Sequence, residues 1–386
     1  MKRNHYEPFC SLAGVERAGV GCQLKMSDAA APTPQTPDAE MLLGFWYPAL
    51  RSPQVRGRKL HKAMLLGVPL VVGRTDQGQV FALRDTCPHR SMPLSDGQFD
   101  GAQVECCYHG WRFEAATGQC REIPSLAGHE KLKVERIYAS SFPCEEADGY
   151  VWVYLPDPAT RNQPVPPVPR LPVFSQRYRI THLAADLPSN VDHGIIGLMD
   201  PAHGPFVHQS WWWRSRRSIQ VKEKTFEPIP NGFRIQAHTP SPNSAPYKLL
   251  KAYGQPTTAI EFVLPNMRFE QIRAGDKWFS SRATVTPIER NLCRIDVVAA
   301  WNIFPWFPFA VSLLRLFGRM FIEQDRLTME KQAVGLRHSP ALMLVDDADR
   351  PAKWYFQLKA AHLEARRTGR PMEHPLKGPV TLRWRS

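Results

Sequence analysis

The sequence predicts an α+β protein of two domains, a small all-β domain followed by a larger antiparallel sheet with a long helix against it. Three observations predict it. Short apolar runs separated by Gly and Asp turns fill the chain up to residue 155. Seven prolines, at positions 156, 158, 164, 166, 167, 169 and 172, then interrupt it. Beyond them come longer apolar runs joined by tight turns, ending in a glycine-poor amphipathic stretch. Length and composition agree. At about 150 residues per domain, 386 residues suggest two to three domains. A chain 43% hydrophobic and 22% charged has the balance of a folded globular protein, which excludes disorder as its main state.

Residues 1–40 are expected to be a disordered leader. Met1–Lys25 carries Lys2, Arg3, Glu7, Glu16 and Arg17 and no apolar stretch that could serve as a secretion signal. Ser27–Pro37 is rich in Ala, Pro and Thr and cannot bury a core, and Met26 is an alternative start. Residues 42–156 are expected to form the all-β domain, with strands at Met64–Val72, Val80–Leu83, Gln103–Cys107 and Tyr150–Leu155. Residues 157–172 make a stiff, extended proline-rich linker.

The second domain, residues 173–386, is expected to hold strands at Phe233–His238, Thr257–Arg273, Trp278–Thr286 and Leu292–Ile303. The turns Ala274-Gly275-Asp276 and Glu289-Arg290-Asn291 make them an antiparallel meander. From Phe309 to Val334 the spacing of Leu313, Leu316, Phe317, Met320 and Phe321 predicts a long helix packed on that sheet. No internal repeat of roughly 20 to 50 residues is visible. The most apolar stretch, Trp301–Leu314, is interrupted by Pro305 and Pro308 and falls short of the ~20 residues a spanning helix needs. A transmembrane anchor is not expected, and peripheral contact with a membrane surface stays open.

Lys and Arg number 49 against 36 Asp and Glu, a net charge of +13. Such a surplus suits nucleic acid, an anionic membrane or an acidic protein. Eight cysteines are too few and too unevenly placed for a disulfide scaffold, which points to the cytoplasm and to metal chemistry.

Two short segments carry that chemistry. Cys87-Pro88-His89 is followed, after sixteen intervening residues, by Cys106-Cys107-Tyr108-His109. Each offers one thiolate and one imidazole from a loop rich in turn formers: Pro88 and Pro93 in the first, Gly110 in the second. In a Rieske [2Fe–2S] centre two histidines bind one iron and two cysteines the other. A Cys2His2 zinc site has the same inventory, although zinc fingers usually pair like with like. Mixed Cys/His pairs favour the cluster. The Cys-x-x-His spacing selects Cys106 over Cys107, which then reads as a buried neighbour. Cys10, Cys22, Cys120, Cys144 and Cys293 read as ordinary thiols.

"TCPHRSMPLSDG" and "ECCYHGWRF", with Arg90, Tyr108, Gly110 and Trp111 in their places, resemble the paired boxes of Rieske non-haem iron oxygenases. Respiratory Rieske proteins have an extra cysteine in each box. Met92 and Tyr108 stand there instead. The resemblance covers about Leu42 to Gln332. It implies an N-terminal all-β Rieske [2Fe–2S] domain and a C-terminal helix-grip (START/Bet v 1-like) antiparallel-sheet catalytic domain. Each subunit would carry one [2Fe–2S] cluster on Cys87, His89, Cys106 and His109, and one mononuclear Fe(II).

The iron ligands are sought downstream, in Asp200-Pro201-Ala202-His203-Gly204-Pro205-Phe206-Val207-His208. Two histidines five apart diverge by ~140° on a straight helix. Gly204-Pro205 is expected to break that helix, letting both imidazoles turn to one point. An O2-activating Fe(II) takes two histidines and one carboxylate on one face, with positions left open. Either would be an ordinary core or surface histidine if it stood alone. By chemistry Glu323 and Asp325 are equal candidates for the carboxylate, and the resemblance of Phe321–Leu327 to the family's segment selects Asp325. The resemblance also gives Asp200 a catalytic role, bonding His203 and a Rieske histidine of the neighbouring subunit. A helix N-cap before Pro201 is the structural alternative. Many ring-hydroxylating members have an asparagine four residues before this acid. Here that place is Ile196, with Asn190, Asp192 and His193 as nearby polar groups.

Several expectations follow from the resemblance. The protein would be an O2-dependent oxygenase fed by a ferredoxin, an NAD(P)H-dependent reductase or both, working as a homotrimer whose electron path crosses subunits. No dinucleotide fingerprint is visible, so the reductase is expected to be a separate chain. Ile196 and the Trp/Phe-rich second half favour a monooxygenase acting on a bulky apolar polycyclic small molecule, a sterol or terpenoid, by hydroxylation or oxidative demethylation. The alternatives are an aromatic acid O-demethylase, with Arg214 or Arg268 for the carboxylate, an aromatic-ring hydroxylase, and a Rieske electron carrier without oxygenase activity. Phe206, Leu198 and part of Trp301–Phe309 are expected to wall the pocket, with Trp211-Trp212-Trp213 packed beside it. Arg56–Lys59, His61 and Lys62 read as a solvated face open to an acidic donor. Nucleic acid drops out as a partner, and the location expected is cytoplasmic, with membrane association open.

Overall fold

The computed structural model describes residues 41–129, 131–160, 163–209, 216–240, 250–304, 306–338 and 342–386. The leader, Trp211–Trp213 and Arg214 lie outside the described residues. In the first half the chain forms β1 (Phe45–Arg51), β2 (His61–Leu65), β3 (Val68–Arg74) and β4 (Val80–Arg84). A meander of four short strands follows: β5 (Gln98–Phe99), β6 (Gln103–Glu105), β7 (Arg112–Glu114) and β8 (Cys120–Glu122). Then come β9 (Ser141–Phe142), β10 (Cys144–Ala147) and β11 (Tyr150–Leu155). They make three antiparallel sheets, ordered β1-β11-β10, β2-β3-β4-β9 and β5-β6-β7-β8.

Side-chain alternation explains why β3 is the hub. Leu70 and Val72 point into one core with Tyr47, Leu65, Val151 and Val153. Val71, on the other face, joins Phe81, Leu83, Val104 and Phe113. That second core also holds Cys87 and Cys106, so the cysteine loops are anchored by apolar packing.

The run Met64–Val72, expected as one strand, is a hairpin. Leu66 and Gly67 both have positive φ, 53° and 71°, as a two-residue turn between twisted strands requires. Leucine rarely sits there, and tertiary contacts hold it: the amides of Leu66 and Gly67 donate to the carbonyls of Pro287 and Ile288, each at 2.9 Å. Gln103–Cys107 likewise stops as a strand at Glu105, because Cys106 opens a loop.

The second half is built on one eight-stranded antiparallel sheet. Its strands are β12 (Arg179–Leu187), β13 (Val221–Ile229), β14 (Gly232–His238), β15 (Thr257–Val263), β16 (Met267–Ala274), β17 (Lys277–Glu289), β18 (Leu292–Trp301) and β19 (Val380–Arg385). Their order is β12-β18-β17-β16-β15-β14-β13-β19. Thr257–Arg273 is therefore two strands, divided around Pro265, while both expected tight turns are present, each as a two-residue loop. Among the described residues four α-helices with both ends in view accompany the sheet: α1 (Val191–Met199), α2 (Gly204–Val207), α3 (Ala310–Leu336) and α4 (Arg350–Thr368). Helix α3 fulfils the helix expected from Phe309 to Val334. Strand β13 and helix α4 carry too many charges for their apolar spacing to stand out.

Alternation along β17 sorts its two faces. Val285 joins Trp354, Tyr355 and Leu358 of α4 and Phe226, Phe233 and Phe262 of the sheet in one core. Trp278 packs the other way, with Trp46, Trp152 and Tyr154 of β1 and β11. Arg282 is buried on that side over the Trp152 ring and bonded to Asp148 at 2.6 Å. The proline-rich segment is pinned at this junction. Trp46 Nε1 donates to the Pro166 carbonyl at 2.7 Å, and the Leu171 amide donates to Asp148 at 2.7 Å.

Candidate functional site

The two Cys/His loops share one backbone design. In the first, the Ser91 amide donates to the Cys87 carbonyl at 2.9 Å and the Cys87 amide to the Met92 carbonyl at 2.8 Å. In the second, Gly110 donates to Cys106 and Cys106 to Trp111, both at 2.9 Å. Ser91 and Gly110, each four residues after its cysteine, have φ of 59° and 68°. The left-handed residue turns each loop back so that thiol and imidazole face one point.

Cys87 and Cys106 are both buried and close enough for their sulfurs to interact. Burial, with Cys106 adding to it, pushes the Cys87 thiol up to about 11, against amides of its own loop that favour the thiolate. A metal must displace that proton to bind. The imidazoles of His89 and His109 meet edge to face at 4.5 Å, and Trp111 stacks flat on His89 at 4.7 Å. His89 Nδ1 is buried with no hydrogen-bond partner among the described residues, as an atom left for a metal would be. Thiols on one side and imidazoles on the other fit a [2Fe–2S] cluster. Cys107 is exposed, which corrects the expectation of a buried neighbour: one residue past Cys106, it points out of the loop.

The second centre is assembled from α2 and α3. Gly204-Pro205 begins the short helix α2 rather than breaking a longer one, with proline in its first turn and His203 and His208 as its two caps. One turn of helix thus separates the ligands. His203 Nε2 and His208 Nε2 are 3.1 Å apart, and Asp325 Oδ1 lies 3.2 Å from the latter and 4.0 Å from the former. Three donors each about 2.1 Å from one ion and about 90° apart would be about 3 Å from each other. The trio fits a facial two-histidine, one-carboxylate site, and it is the one such group among the described residues. Glu323, the rival carboxylate, is exposed and bound to Arg326.

Each histidine is oriented through its other nitrogen. His203 Nδ1 donates to the main-chain carbonyl of Asp200 at 2.9 Å, while the Asp200 carboxylate stands 3.6 Å away. Burial disfavours a charged His203, but Asp200, with Asp325, outweighs it and raises the imidazole above its ordinary value. Burial also works against the Asp200 carboxylate. His203 and the Ala202 amide more than offset it and hold the acid below its ordinary range. Asp200 caps the C-terminus of α1 and accepts the Ala202 amide at 2.7 Å, so the N-cap alternative is corrected. His208 is buried. Its Nδ1 bonds Gln324 Oε1 at 3.1 Å, and the Phe321 ring stacks on it at 3.5 Å. Gln324 and Phe321 were not legible as site residues. Their signal was position, beside the chosen Asp325 and one turn before it.

Other expected polar groups are engaged elsewhere. Ile196 packs against the main core. Asn190 caps α1 through the Asp192 amide, and Asp192 holds Tyr355 and Lys359. Arg268 pairs with Glu270 at 3.0 Å. Phe206 is exposed under the Arg216 guanidinium, which corrects its expected place in a pocket wall. Arg58 and Lys62 of the basic run pair with Asp76 and Asp96, so two of its cations are already matched.

Comparison with known proteins bears on both centres. The family model of the Rieske [2Fe-2S] domain matches residues 45–138, which decides between cluster and zinc for the Cys/His loops. The chloroplastic chlorophyllide a oxygenase of Chlamydomonas reinhardtii is 36% identical over 179 residues, 45% of this chain and 26% of that protein. The 4beta-methylsterol monooxygenase of Methylococcus capsulatus is 31% identical over 128 residues, 33% of this chain and 34% of that protein. The matches span between 26% and 39% of the first such relatives' length. Among solved structures, Pseudomonas putida NdmA with caffeine aligns with a TM-score of 0.69 at 19% identity, covering 87% of this chain and 96% of that one. At that identity the likeness is one of fold.

Proposed function

Given that the chain belongs to the Rieske non-haem iron oxygenase family, we propose that it is an O2-dependent monooxygenase for a bulky apolar polycyclic substrate. A sterol or related terpenoid is the specific class, and hydroxylation or oxidative demethylation the reaction. The observation that carries this reading is the convergence of His203, His208 and Asp325 in the same chain as the paired Cys/His loops. When bound, the cluster supplies electrons singly and the mononuclear iron supplies O2 activation.

The protein's own part is positional. Gln324 and the Asp200 carbonyl take the Nδ1 protons, leaving both Nε2 atoms free to bind. Phe321 covers the His208 ring, and burial keeps water from it. At the other centre the thiols are buried while Tyr108 beside His109 is exposed, so the histidine edge is the accessible side. That edge suits electron exchange with a second protein. The reading includes a homotrimer in which this edge serves a neighbour's iron through Asp200, and a separate acidic ferredoxin or reductase.

Relatives named for chlorophyllide a and a 4β-methylsterol support an apolar polycyclic substrate. So does the apolar packing of Ile196. The pairing of Arg268 with Glu270 weakens the aromatic-acid alternative. The test is a holoenzyme preparation assayed for iron and for reductant-dependent O2 uptake with extracted lipids and with aromatic acids, products read by mass spectrometry. Three irons per chain and an oxygenated lipid are expected. Two irons with no substrate-dependent uptake would make the protein a carrier, and a demethylated aromatic acid would move it to the other substrate class.

A further inference from the structure

The first turns of α3 and the loop before them hold large apolar side chains in solvent. Trp306 is 75% exposed, Phe309 66%, Leu313 46%, Leu316 56% and Met320 51%. From Phe309 onward they follow spacings of four, three and four residues. On a helix turning ~100° per residue, that keeps them within about 60° of one another. The opposite face of the helix is already used. Gly318 abuts Leu183 of β12 so closely that a Cβ there would meet Leu183 Cδ1 at 2.3 Å. Ile322 and Met329 are buried, and Asp325 faces the two histidines. The outer row therefore contributes nothing to the core described above.

Charge decides what could cover it. From Val297 to Ile322 the sequence has two charged residues, Arg315 and Arg319, and no acid. Both arginines are exposed beside the apolar row, and neither makes an ion pair among the described residues. Further along, Leu327 and Val334 continue the row, but Glu323 and Glu330 take the heptad places between its members. Those acids would sit in the seam of a partner helix running the full length. They do not touch a contact confined to the first three turns.

We propose that the face from Trp306 to Met320 docks on an anionic lipid bilayer surface. Tryptophan and phenylalanine at the tip suit the headgroup boundary, and leucine and methionine suit the acyl margin below it. Arg315 and Arg319 can lay their stems along the apolar row and reach anionic headgroups. The contact is peripheral: no helix among the described residues is long and apolar enough to cross a membrane. Docking needs no particular substrate, so its failure would leave the reading of the iron site untouched.

The experiment is flotation of the full metal-loaded chain with vesicles of phosphatidylcholine containing about 30% phosphatidylglycerol, against phosphatidylcholine alone. The chain should float with the anionic vesicles and roughly tenfold less with the neutral ones. W306S/F309S should lose roughly tenfold on the anionic vesicles, and R315Q/R319Q should fall to the neutral level. The visible absorbance of the cluster reports that each variant is folded, and the arginine pair, being fully on the surface, tests charge without touching packing. Absence of flotation by the unchanged chain, or equal flotation by both variants, overturns the proposal. So does a fall in particle mass in the variants without any vesicle binding, which would make this face a contact between copies.

Discussion

His208 and Gln324 are joined by a hydrogen bond of 3.1 Å between Nδ1 and Oε1, although 116 residues separate them in the chain. The bond places the imidazole proton on Nδ1 and leaves Nε2 toward His203 and Asp325. Asp325, the next residue of α3, completes the site from the other side of the ring. One helix segment thus supplies both a ligand and the group that orients a ligand.

Gln324→Leu should therefore weaken iron binding at this centre by roughly 10–100-fold, the usual cost of losing such a partner. The iron lost on dialysis against a chelator measures it, with the cluster spectrum as internal control. Gln324→Glu, which keeps an acceptor, should recover most of the loss. Unchanged iron retention in Gln324→Leu would show that the Phe321 stack alone orients the ring.

Asp325→Ala and Glu323→Ala should part company. The first is expected to reduce the iron count from three to two and abolish substrate-dependent O2 uptake while the cluster colour stays. The second removes an exposed partner of Arg326 and should leave iron content, O2 uptake and thermal midpoint close to those of the parent. Metal analysis of the two variants side by side is sufficient, and the opposite pattern would reassign the carboxylate.

The adjacent cysteines offer a similar contrast. Cys106 is buried against Cys87, whereas Cys107 is exposed. Cys106→Ser should yield a colourless or unfolded protein, and Cys107→Ser a protein with normal visible absorbance. A bleached Cys107→Ser variant would contradict the ligand assignment.

Acid–base behaviour away from both metals can be read at Asp296. Burial pushes its carboxyl up to about 7, against the pull of Arg294, a hydrogen bond from Tyr150 and the charge of Arg51. The unfolded chain would ionise it near 3.8. The folded state binds the proton more tightly, so stability falls as pH rises between those values, and the full cost stands above about 7. Asp296→Asn should relieve on the order of 4 kcal/mol at about pH 8 and much less at about pH 5. Thermal midpoints at both pH values test this. A gap between variant and parent that does not widen with pH would refute the shift.

Part of the fold was legible for local reasons. Tyr150–Leu155 and the two hairpin turns flanking β17 carry their own signals in composition. The hairpin at Leu66-Gly67 did not, because its left-handed leucine is held by carbonyls of Pro287 and Ile288, more than two hundred residues away. Strand β19 was missed because exposed Thr381, Arg383 and Arg385 alternate with buried Leu382 and Trp384 over too short a run.

The sequence by itself determined the two Cys/His loops and the His203/His208 pair. Each loop is closed by hydrogen bonds between residues no more than five apart, and α2 is a single turn, so proximity along the chain is enough. By residue chemistry Glu323 and Asp325 stay equal, and apart from the family resemblance it is the tertiary structure that decides between them. Two residues apart on a helix, they point ~160° away from each other. Which one meets the histidines depends on the rotation of α3, set where Gly318 lets the helix close on Leu183 of β12. That contact turns Asp325 inward and leaves Glu323 with Arg326 in solvent.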